Sequence, residues 1–257
     1  MTRIPVLITV RFGSSRLPGK CLLPLGKFSV LAHCVARVIH AGMRPIVCTS
    51  LDANDDVIVQ EATNLGVEYF RGDLLNKIKR WSSCMEGFQL EKAHIVDGDD
   101  PFFDVSEIQV QFKKFDTSGL QLMRTSLKSD SGFASLGTSI TRDFANKLAG
   151  RTEDFESQNL DVIPWELLLN GSDKWSIATD NFLFPDKDVM LRLTLDYEED
   201  YKLLSILADK FGPYVARADI EKYLIENPEI NAINETCTQA FLKNKRVQLA
   251  HNFKNKD

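Results

Sequence analysis

The run Pro5-Val-Leu-Ile-Thr-Val10 passes directly into Arg11-Phe-Gly-Ser-Ser-Arg-Leu-Pro-Gly-Lys20. The first six residues form an apolar run, as expected of a strand covered on both faces. The stretch from Arg11 to Lys27 is rich in Gly, Pro and Ser and reads as a loop. It carries three cations in ten residues, Arg11, Arg16 and Lys20. In open α/β sheets ligands gather beyond the carboxyl ends of the strands, which is where this cationic loop would lie.

The residues beyond the loop decide whether such a sheet exists. Phe28 to Ala41 puts Val30, Leu31, Cys34, Val35, Val38 and Ile39 on one helical face, with Ser29 placed to cap its start and Gly42 to end it. Pro45 to Thr49 is a short strand. Asp52 to Leu65 is a helix with acidic residues near its start, where the dipole favours them, and Gly66 at its end. Val67 to Phe70 and Ala93 to Val96 are strands, separated by a helix over Leu74 to Phe88 and followed by another over Asp104 to Phe115. This alternation predicts βαβ units and a mostly parallel sheet. The segment 120–188 is less regular, with strands expected at Gln121 to Thr125 and Ser135 to Thr141 and a short helix or turn at Ile163 to Asn170. Met190 to Leu195 alternates like a strand, and Asp196 reads as the N-cap of a helix running to Lys210. Residues 217–226 form a further helix.

Bulk properties exclude several classes. A chain of 257 residues with 44% hydrophobic and 26% charged residues fits one soluble α/β domain, 1–257. A net charge of −5 argues against nucleic-acid or anionic-membrane partners, which need a basic surface. A small anionic substrate remains compatible, because a few local cations suffice to hold a phosphate. The five cysteines contain no CxxC pair, and the odd count points to a reducing, cytoplasmic setting. The opening residues lack the pattern of a secretory signal, and no apolar run reaches membrane-span length. The four histidines lack zinc-ligand spacing.

Four segments carry chemistry. In the first loop, Gly13, Ser14 and Ser15 offer backbone N–H groups and hydroxyls that can wrap phosphate oxygens, beside Arg forks and a Lys point charge. A solvated basic loop is the competing reading. Neither GxGxxG nor a Walker A sequence is present. The turn Asp97-Gly-Asp-Asp-Pro101 follows a strand, so its carboxylates project from the ligand edge and suit Mg²⁺; an Asx-rich turn is the alternative. Leu193-Thr-Leu-Asp-Tyr-Glu-Glu-Asp200 is a strand ending in an acidic helix start. Val67-Glu-Tyr-Phe-Arg-Gly-Asp73 ends a strand with Arg71 and Gly72, and Lys77 follows; a surface loop with a solvated helix cation is the bland reading.

The run Val-Arg-Phe-Gly-Ser-Ser-Arg-Leu-Pro-Gly-Lys-Cys-Leu-Leu-Pro-Leu-Gly resembles the signature loop of the cytidylyltransferases. That superfamily includes the CMP-sialate and CMP-KDO synthetases and the spore-coat polysaccharide cytidylyltransferase-like proteins, to which this loop is most similar. The resemblance spans roughly residues 4–115 and, less fully, 190–230. It implies a Rossmann-like, GT-A-like nucleotidyltransferase fold: a central mostly parallel mixed sheet flanked by helices, with 120–188 covering the acceptor or building a homodimer interface. It also implies that Arg11, Gly13, Ser14, Ser15, Arg16 and Lys20 grip the triphosphate of CTP, with Arg16, Lys20 and Asp99 catalytic. Asp99 matches the metal-binding Asp of a Gly-Asp-x-Pro motif, and Asp196 matches the Asp that completes a Mg²⁺ site. Arg71, Gly72 and Lys77 match positions near the base or ribose. The family's Glu-His pair is absent from the middle of the chain. There Ser157-Gln-Asn-Leu-Asp-Val-Ile-Pro-Trp-Glu166 contains an Asn-Leu-Asp-Val similar to the Gly-Leu-Asp-Val of relatives, which implicates Asp161 in binding a sugar-like acceptor.

The expected reaction is transfer of CMP from CTP to a sugar acid or a sugar or polyol phosphate, with release of pyrophosphate, in surface polysaccharide or glycan biosynthesis. Two other readings stay open on the residues alone. One is a glycosyltransferase of similar architecture, because Asp97-Gly-Asp99 fits an Asp-x-Asp motif. The other is a catalytically silent binding protein that keeps the fold.

Overall fold

The computed structural model describes residues 3–14, 16–125, 137–152, 177–180 and 191–240. Strand β1 (Pro5–Thr9) lies between β4 (Arg44–Ser50) and β6 (Lys92–Asp97), parallel to both. Beyond β4 lies β5 (Glu68–Gly72), also parallel. On the other side β8 (Thr138–Thr141) pairs antiparallel with β6 and with β7 (Leu122–Thr125), and β9 (Ile177–Asp180) runs parallel to β7. The order is β5-β4-β1-β6-β8-β7-β9, a mostly parallel mixed sheet, as the strand–helix alternation predicted. The segment 120–188 thus supplies three strands to the same sheet, and the expected turn at 163–170 lies outside the described residues.

The apolar run after Pro5 explains the central place of β1. Successive strand side chains point to opposite faces. Val6 and Ile8 enter a core with Leu31, Val35 and Val38 of α1 (Val30–His40), Ile58 of α2 (Asp56–Asn64) and Ile108 of α4 (Val105–Ser118). Leu7 points the other way, into a core with Ile78, Trp81 and Met85 of α3 (Lys77–Gly87) and Phe144 and Leu148 of α5 (Arg142–Gly150). A strand buried on both faces has no tolerance for a register slip, so its carboxyl end is a fixed point.

The cap expected at Ser29 is present: its Oγ accepts from the Ala32 N–H at 3.0 Å. The helix begins at Val30 rather than Phe28, because Phe28 and Ser29 (β3) pair antiparallel with Pro24 and Leu25 (β2). The region read wholly as loop therefore ends in a small hairpin.

A second correction concerns residues 191–196. They make no sheet pairing among the described residues. Their alternation has another cause. Leu191, Leu193 and Leu195 fill a third core with Leu25, Val30, Phe102 and Leu203, Leu204 and Leu207 of α6 (Glu198–Phe211). Arg192 on the other side of the stretch is equally buried, held by Asp200. The segment after α6 folds as α7 (Arg217–Glu226), α8 (Pro228–Asn231) and a short 3-10 turn, Ala232–Asn234.

Candidate active site

The loop after β1 is fixed at both ends. At its start the Phe12 N–H donates to Asp55 Oδ1 at 2.7 Å. Asp55 is buried and also accepts from Thr49 Oγ1 at 2.9 Å, Ser50 N at 3.1 Å and Ser50 Oγ at 2.5 Å. A buried carboxylate is tolerated when hydrogen bonds replace its lost water, and here four donors do so. At the loop's end the Gly19 N–H donates to Phe12 O at 3.3 Å. Gly19 has φ +67°, and a Cβ there would sit 3.2 Å from the Phe12 ring, so both backbone conformation and space call for glycine. The 3-10 turn Lys20–Leu22 follows at once and buries Cys21, which aims the Lys20 side chain across the sheet edge.

The turn after β6 is held just as closely. The Gly98 N–H donates to Thr9 O at 2.8 Å, and a Cβ on Gly98 would lie 3.1 Å from that same oxygen and 3.0 Å from Val10 Cβ. The turn closes through Asp100 N to Asp97 O at 3.1 Å, leaving Asp97 exposed and Asp100 buried. The Asp99 carbonyl accepts from Leu195 N at 2.7 Å, which docks the 191–196 stretch against the turn. The ends of β1 and β6 and the approach to α6 thereby meet.

Lys20 lies where they meet. Its Nζ donates to Asp99 Oδ2 at 2.6 Å, to Asp196 Oδ1 at 3.1 Å and to Leu195 O at 2.6 Å. Arg16 Nη2 reaches Asp196 Oδ1 at 2.5 Å. Residues separated by up to 180 positions in sequence thus share one polar centre. Burial alone would lower the Lys20 ammonium, but the facing carboxylates of Asp99 and Asp196 outweigh it and hold it above the ordinary lysine range. Burial would likewise raise Asp196, yet Lys20, Arg16 and Arg192 outweigh that and hold its carboxyl below the usual range.

Asp196 does not act as the helix cap. That task falls to Asp200, whose Oδ2 accepts from Asp196 N at 2.9 Å and Tyr197 N at 3.0 Å. The Asp196 carboxylate is left to face the cations. Arg192 braces it from behind: Nη2 lies 3.2 Å from Asp196 Oδ2, while Nε and Nη2 grip Asp200 at 2.8 and 3.0 Å. Asn234 completes the brace, donating to Arg192 O and to Asp200 Oδ1 at 3.1 and 2.9 Å. Sequence reading missed Arg192, Asp200, Asn234 and Asp55. A charge inside the apolar run Leu191-Arg-Leu-Thr-Leu195 and an acid three residues past Tyr197 were the available signals for the first two; Asp55 and Asn234 carry no local one.

The other residues singled out from sequence lie around this centre in different ways. Arg11 Nη1 donates to Leu74 O at 3.0 Å, across to the loop after β5. Gly13 is exposed with open space around it, and Ser14 Oγ accepts weakly from Leu17 N at 3.4 Å. Arg71 is engaged on all three guanidinium nitrogens, by Ser50 O at 2.9 Å, Asp52 O at 2.8 Å and Asp56 Oδ1 at 2.6 Å. Gly72 is buried, and a Cβ there would lie 2.9 Å from the Phe70 ring. Lys77 opens α3 with its Nζ over the Trp81 ring at 5.8 Å. Ser15 and Asp161 lie outside the described residues.

A cytidylyltransferase family model matches residues 5–196, which contain the loop, both aspartates and the strands that hold them. The chain belongs to the cytidylyltransferase family. It is a nucleotidyltransferase enzyme. The spore coat polysaccharide biosynthesis protein SpsF of Bacillus subtilis is 27% identical over 239 residues, covering 89% of this chain and 97% of its own. Among solved structures, a cytidylyltransferase from Leptospira borgpetersenii superposes with a TM-score of 0.76 at 22% identity, covering 90% and 97% of the two chains. CMP:2-keto-3-deoxy-manno-octonic acid synthetase complexed with CTP superposes at 0.60 with 15% identity, covering 82% and 99%. At these identities the superpositions speak for the fold.

The donor set of this cytidylyltransferase fits a hard divalent cation. Asp99 Oδ2 and Asp196 Oδ1 both touch the same nitrogen, so the two oxygens already share one cation. Among the described residues no group of three or more His, Cys, Asp or Glu forms a cage. Mg²⁺ takes one or two carboxylates and completes its shell with water and phosphate. No helix of the described residues is long and apolar enough to cross a membrane.

Proposed function

We propose that this enzyme transfers CMP from CTP to a sugar acid or a sugar or polyol phosphate, releasing pyrophosphate, in a Mg²⁺-dependent step of surface polysaccharide or glycan biosynthesis. The observation that carries the reading is the Lys20 ammonium joined to Asp99 and Asp196, with Arg16 on the same Asp196 oxygen. The opposed charges of that cluster match the two halves of a metal–triphosphate. The relatives add cytosine and a sugar acid: one solved neighbour holds CTP and makes a CMP-sugar acid, and SpsF is named for polysaccharide biosynthesis.

In this reading Arg11, Gly13, Ser14, Ser15, Arg16 and Lys20 enclose the triphosphate. Arg16 and Lys20 stabilise negative charge as it moves onto the leaving pyrophosphate. Asp99 and Asp196 would hold Mg²⁺, which would supply Lewis-acid neutralisation of the charge that develops on the phosphates. Gly72 and Lys77 wall the base side, and Arg71 holds that wall to the end of β4. Asp161 lines the acceptor pocket, the enzyme works in the cytoplasm, and it assembles as a homodimer.

The test is a pyrophosphate-release screen of the four nucleoside triphosphates against sugar acids and sugar phosphates, with Mg²⁺ and with chelator. Release that needs CTP, one acceptor class and Mg²⁺ is expected. Preference for another triphosphate, or equal release in chelator, would overturn the corresponding part.

A further inference from the structure

The geometry points to Lys20 as the resident counter-ion of the Asp99–Asp196 pair, one that must leave for a triphosphate before a divalent cation can enter between the two carboxylates. The inference rests on the metal assignment made above and adds an order to the binding events.

An ammonium has three donors, and Lys20 has three acceptors within reach: Asp99 Oδ2 at 2.6 Å, Leu195 O at 2.6 Å and Asp196 Oδ1 at 3.1 Å. Its side chain is only 12% exposed. The nitrogen therefore fills the space between the two oxygens that a hard cation would take. Charge points the same way. Asp196 already faces Lys20, Arg16 and Arg192. A divalent ion arriving with Lys20 in place would add two positive charges to a centre where three cations crowd one carboxylate.

The neighbours differ in how freely they can leave. Arg192 is 1% exposed and gripped by Asp200 through Nε, so it remains behind Asp196 whatever binds in front. Arg16 is 39% exposed; among the described residues its guanidinium bonds to Asp196 and lies over the Tyr197 ring at 5.4 Å. Lys20 sits at the end of a four-carbon stem. A triphosphate offers both of them new acceptors of higher charge. When Lys20 and Arg16 turn to phosphate, Asp99 and Asp196 lose a cation and become ligands for another. Nucleotide and metal then bind cooperatively, and linkage requires each to strengthen the other by the same factor.

The test uses Mn²⁺ alone as a paramagnetic probe, with free Mn²⁺ read by electron paramagnetic resonance and no nucleotide present. Wild type is expected to bind Mn²⁺ weakly. Lys20→Met, which removes the ammonium and keeps the stem length, is expected to bind it at least about tenfold more tightly, within the usual range of such couplings. Adding Asp99→Asn to that variant should abolish the gain. Equal affinity in wild type and a folded Lys20→Met would overturn the inference. Should Lys20→Met fail to fold, wild type still decides: tight Mn²⁺ binding without nucleotide that Asp99→Asn removes would contradict it, and weak binding would bear it out. None of these readouts needs turnover. The pyrophosphate screen can therefore fail while the Mn²⁺ result stands, and the reverse.

Discussion

Two rims of the same sheet edge handle positive charge in opposite ways. Beyond β1 and β6, Lys20 and Arg16 are paired with carboxylates from distant segments, Asp99 and Asp196, on groups that can be exchanged for a ligand's. Beyond β4 and β5, Arg71 is tied to two backbone carbonyls and to Asp56, all within 21 residues of itself. In the proposed function the first arrangement holds charge for a ligand. The second uses charge as a strut. An arginine next to a ligand edge is therefore not by itself a ligand contact; what its nitrogens already touch decides.

The sharpest way to break this contrast is at its fixed pivot. Arg192→Ala removes the buried partner shared by Asp196 and Asp200 and leaves the Asp200 carboxylate without a counter-charge, while Asp196 keeps Lys20 and Arg16. It is expected to destabilise the protein by about 3–5 kcal/mol, measured by urea unfolding. Asp99→Asn, at the exchangeable rim, should lower kcat by roughly 10²–10³-fold with little change in the unfolding midpoint. Equal effects on fold and rate would mean that the two classes of charge are not separate. Arg71→Ala should show the reverse pattern: a stability loss of about 1–3 kcal/mol from its lost bonds, with a change in KM for CTP of less than about tenfold. A large rise in KM with no stability loss would make Arg71 a direct nucleotide contact.

The two rims also differ in how far sequence revealed them. The strand run before Arg11 and the strand–helix alternation made the parallel half of the sheet legible, because burial on both faces leaves a continuous apolar signature. Arg16, Lys20 and Asp99 stood out because each lies in a turn after a strand-like run, whereas Asp196 was singled out by the family resemblance of its segment. The reading of Met190 to Leu195 as a strand went astray, among the described residues 191–195, for a physical reason. Alternation reports that a segment has two environments, and here one is the core under α6 and the other is Asp200 and Asn234, with no sheet involved. The brace Asn234 was invisible because its partners lie far away in sequence, and single-sequence patterns carry no long-range pairing; Asp55 bonds mainly to nearby Thr49 and Ser50, but its grip on the Phe12 N–H is long-range. Asp196 was misread as a cap for the opposite cause: a local rule fitted it, and Asp200 satisfied the rule instead.

A pH-dependent effect lies beneath the exchangeable rim. His33 is fully buried, its ring edge-on to Phe102 at 4.8 Å, and both ring nitrogens lack a hydrogen-bond partner among the described residues. Burial, with the nearby Arg37 charge, pushes it down to about 3. An unfolded histidine titrates near 6.5, so between these values the unfolded chain binds the extra proton. Stability from this group is present above about pH 6.5 and is lost as pH falls towards 3, with a slope of about 1.4 kcal/mol per pH unit. Urea unfolding across that range should show the slope in wild type and a shallower one in His33→Leu.

The most direct measurement is calorimetric titration of CTP with Mg²⁺ into wild type, Lys20→Ala and Arg71→Ala. The expected result is binding in wild type, severe loss in Lys20→Ala and near-wild-type affinity in Arg71→Ala. Undiminished binding in Lys20→Ala would contradict the claim that the charges shared by Lys20, Asp99 and Asp196 are the ones a nucleotide takes over.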